Sequence, residues 1–316
     1  MQINQSSLTQ LFTGFKVLFA DAFQSADPQW SKFAMLSPSD KASELYHWLG
    51  AIPGMKELVG EMATANLAAS NYQIFNKEFY DLVAVKQADI ERNSLGLYSP
   101  LFSGMGMAAA EHPDELMANL LTGGFTQKDY TGKNFFDTAK KQDSTDKAGF
   151  TNKDTKKLSA DNFVAARANI RGRLNSQGRP MNLGRKLLLI VSPANEALGR
   201  QILQADLLLQ ALTNKAGTEN VGSAAVTNVN KGTAELLVWT RLAANPDMWF
   251  LLDTGYPVKP LILQQEKKVQ MIQQTNAETS DHVFEKHEFR YQAYGRYNAG
   301  YGLPQLAFGS DGTTAA

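Results

Sequence analysis

Hydrophobic positions recur at helical spacing from the start of the chain. Leu8, Leu11, Phe12, Phe15, Leu18, Phe19 and Phe23 fall along one side of a helix that Ser6 or Ser7 can cap. Helices that lie on membranes carry Lys and Arg along the polar side, and Lys16 is the one cation in this stretch, so the amphipathic arm is predicted to pack on protein. It should stop before Asp27-Pro28, and Ser37-Pro38-Ser39-Asp40 reads as a hinge after it. Between Leu67 and Val85 the period changes to two. Tyr72 and Ile74 alternate with polar neighbours up to Asn76-Lys77; beyond it Phe79, Val83 and Val85 share one face, and Tyr80 and Leu82 the other. That pattern predicts a long hairpin turning at Asn76-Lys77. Two-stranded ribbons are marginal in water, so its aromatic faces call for a covering surface.

From Tyr98 to Leu121 the helical period returns, with Leu101, Met105, Ala108 and Ala109 followed by Leu116, Leu120 and Leu121. Pro113 is expected to kink this helix or start a second segment, and Gly123-Gly124 to end it. Residues 126–157 are polar and Lys-rich, which predicts a solvated surface loop around Tyr130 to Asp137. Ser159 then caps a helix with Phe163, Ile170 and Leu174 on one face. After Gly178-Arg179-Pro180 come a buried strand, Leu187 to Val191, and a helix opening at Pro193, which together make an α/β unit. Thr213 to Gly232 reads as loop or weak strand. The rest is β-rich: Glu235 to Thr240, Met248 to Leu252, Val258 to Gln264, Lys268 to Gln273, Val283 to Tyr297 and Leu303 to Phe308.

Composition narrows the function classes. With 316 residues, 43% of them hydrophobic, the chain can bury one large core or two smaller ones, which excludes disorder as its main state. Thirty-one Lys and Arg balance thirty-one Asp and Glu. Zero net charge supplies no long-range field for polyanions and argues against a dedicated nucleic-acid binder. The absence of cysteine removes disulfide scaffolds, thiol nucleophiles and Cys-ligated metals. No apolar run approaches the roughly 18 residues a bilayer requires, and the N-terminus lacks the pattern of a signal peptide, so a cytosolic site of synthesis is expected.

Candidate chemistry is sparse. Gly104-Met105-Gly106-Met107-Ala108-Ala109 fits an Ala-ending dinucleotide fingerprint, but Tyr98-Ser99-Pro100 stands where a strand should precede it; small residues on a helix-packing face explain it better. His282 and His287 stand near Asp281, Glu285 and Glu288, yet a spacing of five cannot bring the two imidazoles together on one strand or helix. No Walker loop, HExxH or GxSxG motif occurs, and no catalytic residue, cofactor or metal is assigned. The unusual charge feature is the window from Asn162 to Asn195, with Arg167, Arg171, Arg173, Arg179, Arg185 and Lys186 and no acid. It suits phosphate contact, carboxylates of a neighbouring subunit, or an ordinary solvated face.

The order of these features resembles a known assembly protein, and short stretches make the resemblance specific. They are Leu11-Phe12-Thr13-Gly14-Phe15, Trp48-Leu49-Gly50 with Pro53, Asn76-Lys77 with Phe79, and His112-Pro113-Asp114-Glu115-Leu116. Further along stand Gly132 with Asn134-Phe135-Phe136-Asp137-Thr138, Trp249-Phe250-Leu251-Leu252-Asp253, Asn298-Ala299-Gly300-Tyr301-Gly302-Leu303 and Leu306-Ala307-Phe308-Gly309. Over nearly its whole length the sequence is similar to the major head (capsid) subunits of Mu-like phages and prophages. One departure is visible: after Thr138 the family continues towards His-Pro, where this chain has Ala139-Lys140-Lys141.

The resemblance implies an α+β fold of the Hong Kong 97 type, with an N-terminal arm, an E-loop hairpin, a P-domain with a long spine helix and an A-domain with a central β-sheet. The implied division is 1–38 for the arm, 39–61 for the lead into the P-domain, 62–91 for the E-loop, 92–154 for the P-domain with spine helix and polar loop, 155–258 for the A-domain and 259–316 for a return to the P-domain. It also implies hexamers and pentamers in an icosahedral phage head enclosing double-stranded DNA, hence a virion protein assembled in the host bacterial cytoplasm and no enzyme. Implied partners are further copies of the chain, a portal, a separate scaffold, a decoration protein, and DNA held by weak non-specific contact, with no membrane. Phe12, Phe15, Phe19, Asn76, Lys77, Glu78, Phe79, Asp81, Arg167, Arg171 and Arg173 are the residues expected between subunits. Acidic Glu78, Asp81, Asp89 and Glu91 are candidate partners for the Arg window. Some capsids of this fold crosslink Lys to Asn, but no catalytic acid is identifiable near Lys77 and Asn76. The rivals are a nanocompartment shell of the same fold, a soluble α/β enzyme with its site near Gly104 or His282, and another virion part such as a tail or baseplate protein.

Overall fold

Two long antiparallel strands organise the chain. The computed structural model describes residues 5–47, 49, 72–92, 95–142, 146, 149–175, 178–213, 220–273 and 280–315. Helix α1 (Gln5–Ser25) leads to strands β1 (Ala34–Pro38), β2 (Ser43–Leu45), β3 (Gln73–Phe75) and β4 (Lys77–Lys86). A short α2 (Gln87–Glu91) precedes the long α3 (Ser99–Gly123), β5 (Lys153–Lys156) and α4 (Ala160–Arg171). Then follow β6 (Leu187–Val191), α5 (Glu196–Gln204), β7 (Leu207–Thr213), β8 (Asn220–Thr227), β9 (Glu235–Val238) and β10 (Trp249–Asp253). The last part holds β11 (Leu261–Gln273), α6 (Asp281–Lys286), β12 (Glu288–Tyr301) and β13 (Ala307–Thr314).

β11 and β12 pair from Leu261 opposite Tyr301 to Gln273 opposite Tyr291. β1 joins β11 in parallel and β4 joins β12 antiparallel, giving a four-stranded sheet in the order β1-β11-β12-β4. A five-stranded sheet runs β5-β13-β10-β6-β9. Its strands Leu-Leu-Leu-Ile-Val (β6) and Trp-Phe-Leu-Leu-Asp (β10) are buried at every position, as expected where both faces of a sheet are covered. α4 opens on Ser159, whose hydroxyl accepts the Asn162 N–H, and buries Phe163, Ala166 and Ile170. α5 begins three residues after Pro193 through a 3-10 turn.

Several expectations are corrected. β3 and β4 meet at Asn76 but do not pair with each other: β3 pairs with β2, and β4 finds its partner in β12. The ribbon is therefore closed at its base by Ser43–Leu45 with Gln73–Phe75, and Asn76-Lys77 is a junction, not a tip. Most of the 62–91 segment before Tyr72, together with Trp48, Gly50 and Pro53, lies outside the described residues. The hinge expected at Ser37-Pro38 is the end of β1, held in register with Gln264 and Gln265. α3 runs through Pro113 as one helix. The two strands expected at 258–264 and 268–273 are one strand with register shifts between Gln265 and Gln270. Val283 lies in α6, ahead of β12. Of the segment 259–316, β13 sits in the five-stranded sheet, between β5 and β10. β8 shows that the Gly- and Asn-rich stretch carries a strand, paired with β7.

The polar loop is more than a surface feature. Phe135 and Phe136 are fully buried, with Phe135 stacked on Tyr301 at 4.4 Å between ring centroids. Under them lies a fully buried ion pair, Lys140 Nζ to Asp129 Oδ2 at 2.5 Å. Lys140 also donates to the Thr131 hydroxyl at 3.0 Å and the Asn134 carbonyl at 2.8 Å, and Asp129 accepts the Thr131 N–H. Burial pushes the Asp129 carboxyl above its ordinary value and Lys140 below its own, while their contact opposes both shifts. All three ammonium donors are used, so the lysine acts as the internal knot of a loop that has little regular structure. Removing one partner leaves the other charge buried and alone. Lys140→Met is expected to destabilise the chain by about 3–5 kcal/mol, read as a lower midpoint in urea unfolding.

Candidate functional site

A chain without clustered catalytic groups has to be read by its surfaces. Among the described residues no group of three or more His, Cys, Asp or Glu side chains is placed to hold a metal ion, and no helix is long and apolar enough to cross a membrane. His282 stands 4.0 Å from Glu288 and apart from any such group.

The arm helix lies on the chain's own spine. Phe15 stacks on Phe102 of α3 at 4.0 Å between centroids and meets the edge of Tyr291 of β12 at 5.3 Å. Phe19 stacks on Phe23 and is buried, and Phe12 is half-buried against Tyr291. α1 and α3 approach so closely at Gly106 that a Cβ there would overlap the Phe19 carbonyl and crowd Ala22. Of the small residues in 104–109, Gly106 serves helix packing, while Gly104 and Ala108 are exposed, and the whole stretch lies inside α3 with no strand leading into it. Phe15 and Phe19, expected between subunits, are core residues of one chain.

β4 presents two different faces. Val83, Val85 and Phe79 turn towards the helices, and Phe79 packs beside His112 at 4.3 Å and Tyr297 at 4.9 Å. His112 Nδ1 lies 2.9 Å from the Tyr297 hydroxyl, and a cavity of about 230 Å³ opens beside them, lined by Ala108, Ala109 and Asp81 among others. The opposite face carries Leu82, Gln292 and Ile272 in one cross-strand row and Tyr80, Tyr294 and Gln270 in the next. Tyr80 is 71% exposed, Leu82 42% and Ile272 39%. Charged residues flank this stripe: Glu78 with Arg296, and Arg290 opposite Ala84. Among the described residues no element covers the stripe, and β4 is paired on one edge only, with β12.

The remaining candidates separate clearly. Asn76 donates to the Lys41 carbonyl at 2.7 Å and accepts from Gln264 at 2.9 Å, so its amide is fixed within the chain. Lys77 is exposed, Glu78 takes a hydrogen bond from Tyr294, and Asp81 is exposed and accepts the Leu82 N–H at 2.8 Å. Asp89 accepts from the Tyr98 hydroxyl at 2.5 Å. Arg173 is corrected: it is 3% exposed and donates to the carbonyls of Gln305 at 2.5 Å and Ala307 at 3.0 Å, and to Asn169 Oδ1 at 2.8 Å. Its guanidinium is a bolt between α4 and the turn before β13. Burial lowers its pKa to about 9, still far enough above neutrality to keep it charged. Arg171 and Arg185 are exposed and Arg167 is half-buried, while Lys186 meets Glu235 at 3.6 Å. Sequence reasoning missed the outer-face row of Ile272, Tyr294 and Gln292, because only the register of β11 with β12 brings these residues beside β4.

Known proteins decide the family. The profile described as Mu-like prophage major head subunit gpT matches residues 8–156, 147–242 and 227–316. The chain belongs to this family. It is 30% identical over 307 residues to the major capsid protein of Escherichia phage Mu, covering 97% of this chain and 74% of that protein. Against the Mu-like prophage FluMu major head subunit of Haemophilus influenzae the identity is 29%, covering 97% and 73%. In three dimensions it resembles the procapsid subunit of bacteriophage JBD30, with a TM-score of 0.57 and 28% identity over 98% of this chain and 76% of that one. The fold is that of phage capsid subunits, and the chain is a major capsid protein of a Mu-like phage. The expected family, fold class and structural role therefore stand.

Two measurements probe these interior contacts. Arg173→Ala leaves buried carbonyls without a donor, and is expected to cost about 3 kcal/mol or more in chemical denaturation, a loss of folding and not of association alone. Burial lowers the His112 pKa below its ordinary 6.5. As pH falls through about 6.5 the unfolded chain takes up a proton that the folded chain resists, so stability drops on acidification. Thermal midpoints of wild type and His112→Gln should show this part of the pH dependence in the wild type alone, and it should vanish above neutrality.

Proposed function

We propose that the chain builds an icosahedral phage head from hexamers and pentamers of itself around double-stranded DNA, in a purely structural role with no catalysis. The observation that carries this reading, beside the family, is the stripe of Tyr80, Leu82, Tyr294 and Ile272, which no described element covers, on a sheet whose strand β4 has one partner among the described residues. An apolar sheet face with a charged rim is the chemistry of a protein interface, and an unpaired edge invites a further strand. Copies of the chain are the proposed cover. Phe12, Lys77, Glu78, Phe79, Asp81, Arg167 and Arg171 lie at or beside such contacts in this reading. The fixed amide of Asn76 argues for a positioning role over a crosslink.

In the same reading a portal, a separate scaffold and a decoration protein complete the particle, which forms in the host bacterial cytoplasm. Zero net charge suits an inner wall that touches DNA weakly and non-specifically. Negative-stain microscopy of the full chain, alone and with its genomic neighbours, should show closed shells, tubes or capsomers. The Tyr80→Asp/Leu82→Asp variant should keep the wild-type circular dichroism and fail to form them. A 34.7 kDa monomer under every condition would contradict the proposal.

A further inference from the structure

The arginines left over from the acid-free window form a patch of their own. Arg167 and Arg171 are one helical turn apart on α4, and the Arg171 stem lies over Gly184. A Cβ at Gly184 would come within 2.6 Å of Arg171 Cγ, and its φ of +81° belongs to the left-handed region that favours glycine. The Gly184 N–H is anchored on the Asp253 carboxylate at 2.5 Å, and Arg185 follows Gly184 in the chain with its side chain exposed. The buried Asp253 carboxylate is thereby spent on backbone, since it also accepts the Gly255 N–H at 2.8 Å. Among the described residues, none of Arg167, Arg171 and Arg185 lies within ion-pair distance of an acid. Among the described residues no acid neutralises these three cations, and an anion from another molecule can do so.

The chain as a whole holds the matching charge. Its first 121 residues carry 13 Asp and Glu against 7 Lys and Arg, and the rest carry 24 Lys and Arg against 18 Asp and Glu. The division is thus −6 against +6 about the end of α3. On the acidic side Asp21, Asp40, Asp81 and Glu115 are exposed and in no ion pair. We propose that Arg167, Arg171 and Arg185 form a carboxylate-docking patch that receives the acidic N-terminal part of a second copy of this chain. Guanidinium forks match carboxylates bidentately, so the patch confers register on a contact whose burial the apolar stripe supplies. The proposal rests on the shell reading above.

The test uses the full chain. Wild type and the Arg167→Gln/Arg171→Gln/Arg185→Gln variant are compared for assembly by sedimentation velocity, and for binding to a short duplex DNA of random sequence by fluorescence anisotropy. The Gln variant should keep the wild-type thermal midpoint and DNA affinity, and lose roughly tenfold in the extent of assembly. Carbodiimide treatment of assembled Arg171→Lys, followed by peptide mapping, should join position 171 to an Asp or Glu within residues 1–121 of another copy; this decides the matter if the Gln variant fails to fold. A Gln variant that assembles like wild type overturns the patch, and lost DNA binding would then assign it to phosphates, unchanged DNA binding to solvent. A carbodiimide link to an acid beyond residue 121, or no link in assembled material, also overturns it. A wild-type chain that never associates contradicts the shell reading itself.

Discussion

A sheet has two faces, and among the described residues helices cover only one side of the four-stranded sheet. α3 and α1 stack against that side through Phe102, Phe15 and Tyr291, with Gly106 allowing the two helices to touch. The surfaces proposed for assembly follow from this one-sided cover. Phe15 and Phe19 of the arm are buried inside the protomer, β4 is paired on one edge among the described residues, and Tyr80 and Leu82 are exposed. Burying such a stripe is favourable by roughly 25 cal/mol per Å² of apolar area, which makes many identical copies cooperative without strong individual contacts.

Parts of this arrangement were legible in the sequence because they are local. The run Leu187 to Val191 and the run around Trp249 are continuous apolar segments, and both are central strands of the five-stranded sheet. α3 shows its period over 25 residues, strongly enough to carry Pro113 through its interior. Apart from local ones such as Pro113 and Val283, the misreadings are long-range. Asn76-Lys77 looks like a turn between alternating runs, but β3 offers β4 three residues of pairing where β12 offers ten. The polar loop conceals its core because the residue that organises it, Lys140, is of a type usually found in water. Arg173 resembles its neighbours in the window until the carbonyls of Gln305 and Ala307, more than 130 residues away, are brought to it.

Charge is arranged in the same economical way. The interior uses its ions as fasteners: Asp129 with Lys140, Arg173 with backbone carbonyls, Asp114 with the N–H groups of Gln29 and Trp30 at 2.9 and 2.6 Å. Asp114 ties the start of the arm's descent to α3, so the path from α1 into β1 is set by a single carboxylate. What is left over is a net-acidic stretch in residues 1–121 and the cations Arg167, Arg171 and Arg185, which the proposed contact would bring together. In the proposed shell, apolar burial supplies affinity and these charges supply orientation.

Hydrogen–deuterium exchange of assembled particles against dissociated subunits reads the one-sided cover directly. Peptides spanning β4, Lys77–Lys86, should gain protection on assembly, while those of α1 and α3, already packed against each other within one chain, should change little. Protection gained across α1 and α3 with none in β4 would contradict the account, because the arm and not the open sheet face would then be the surface that copies share.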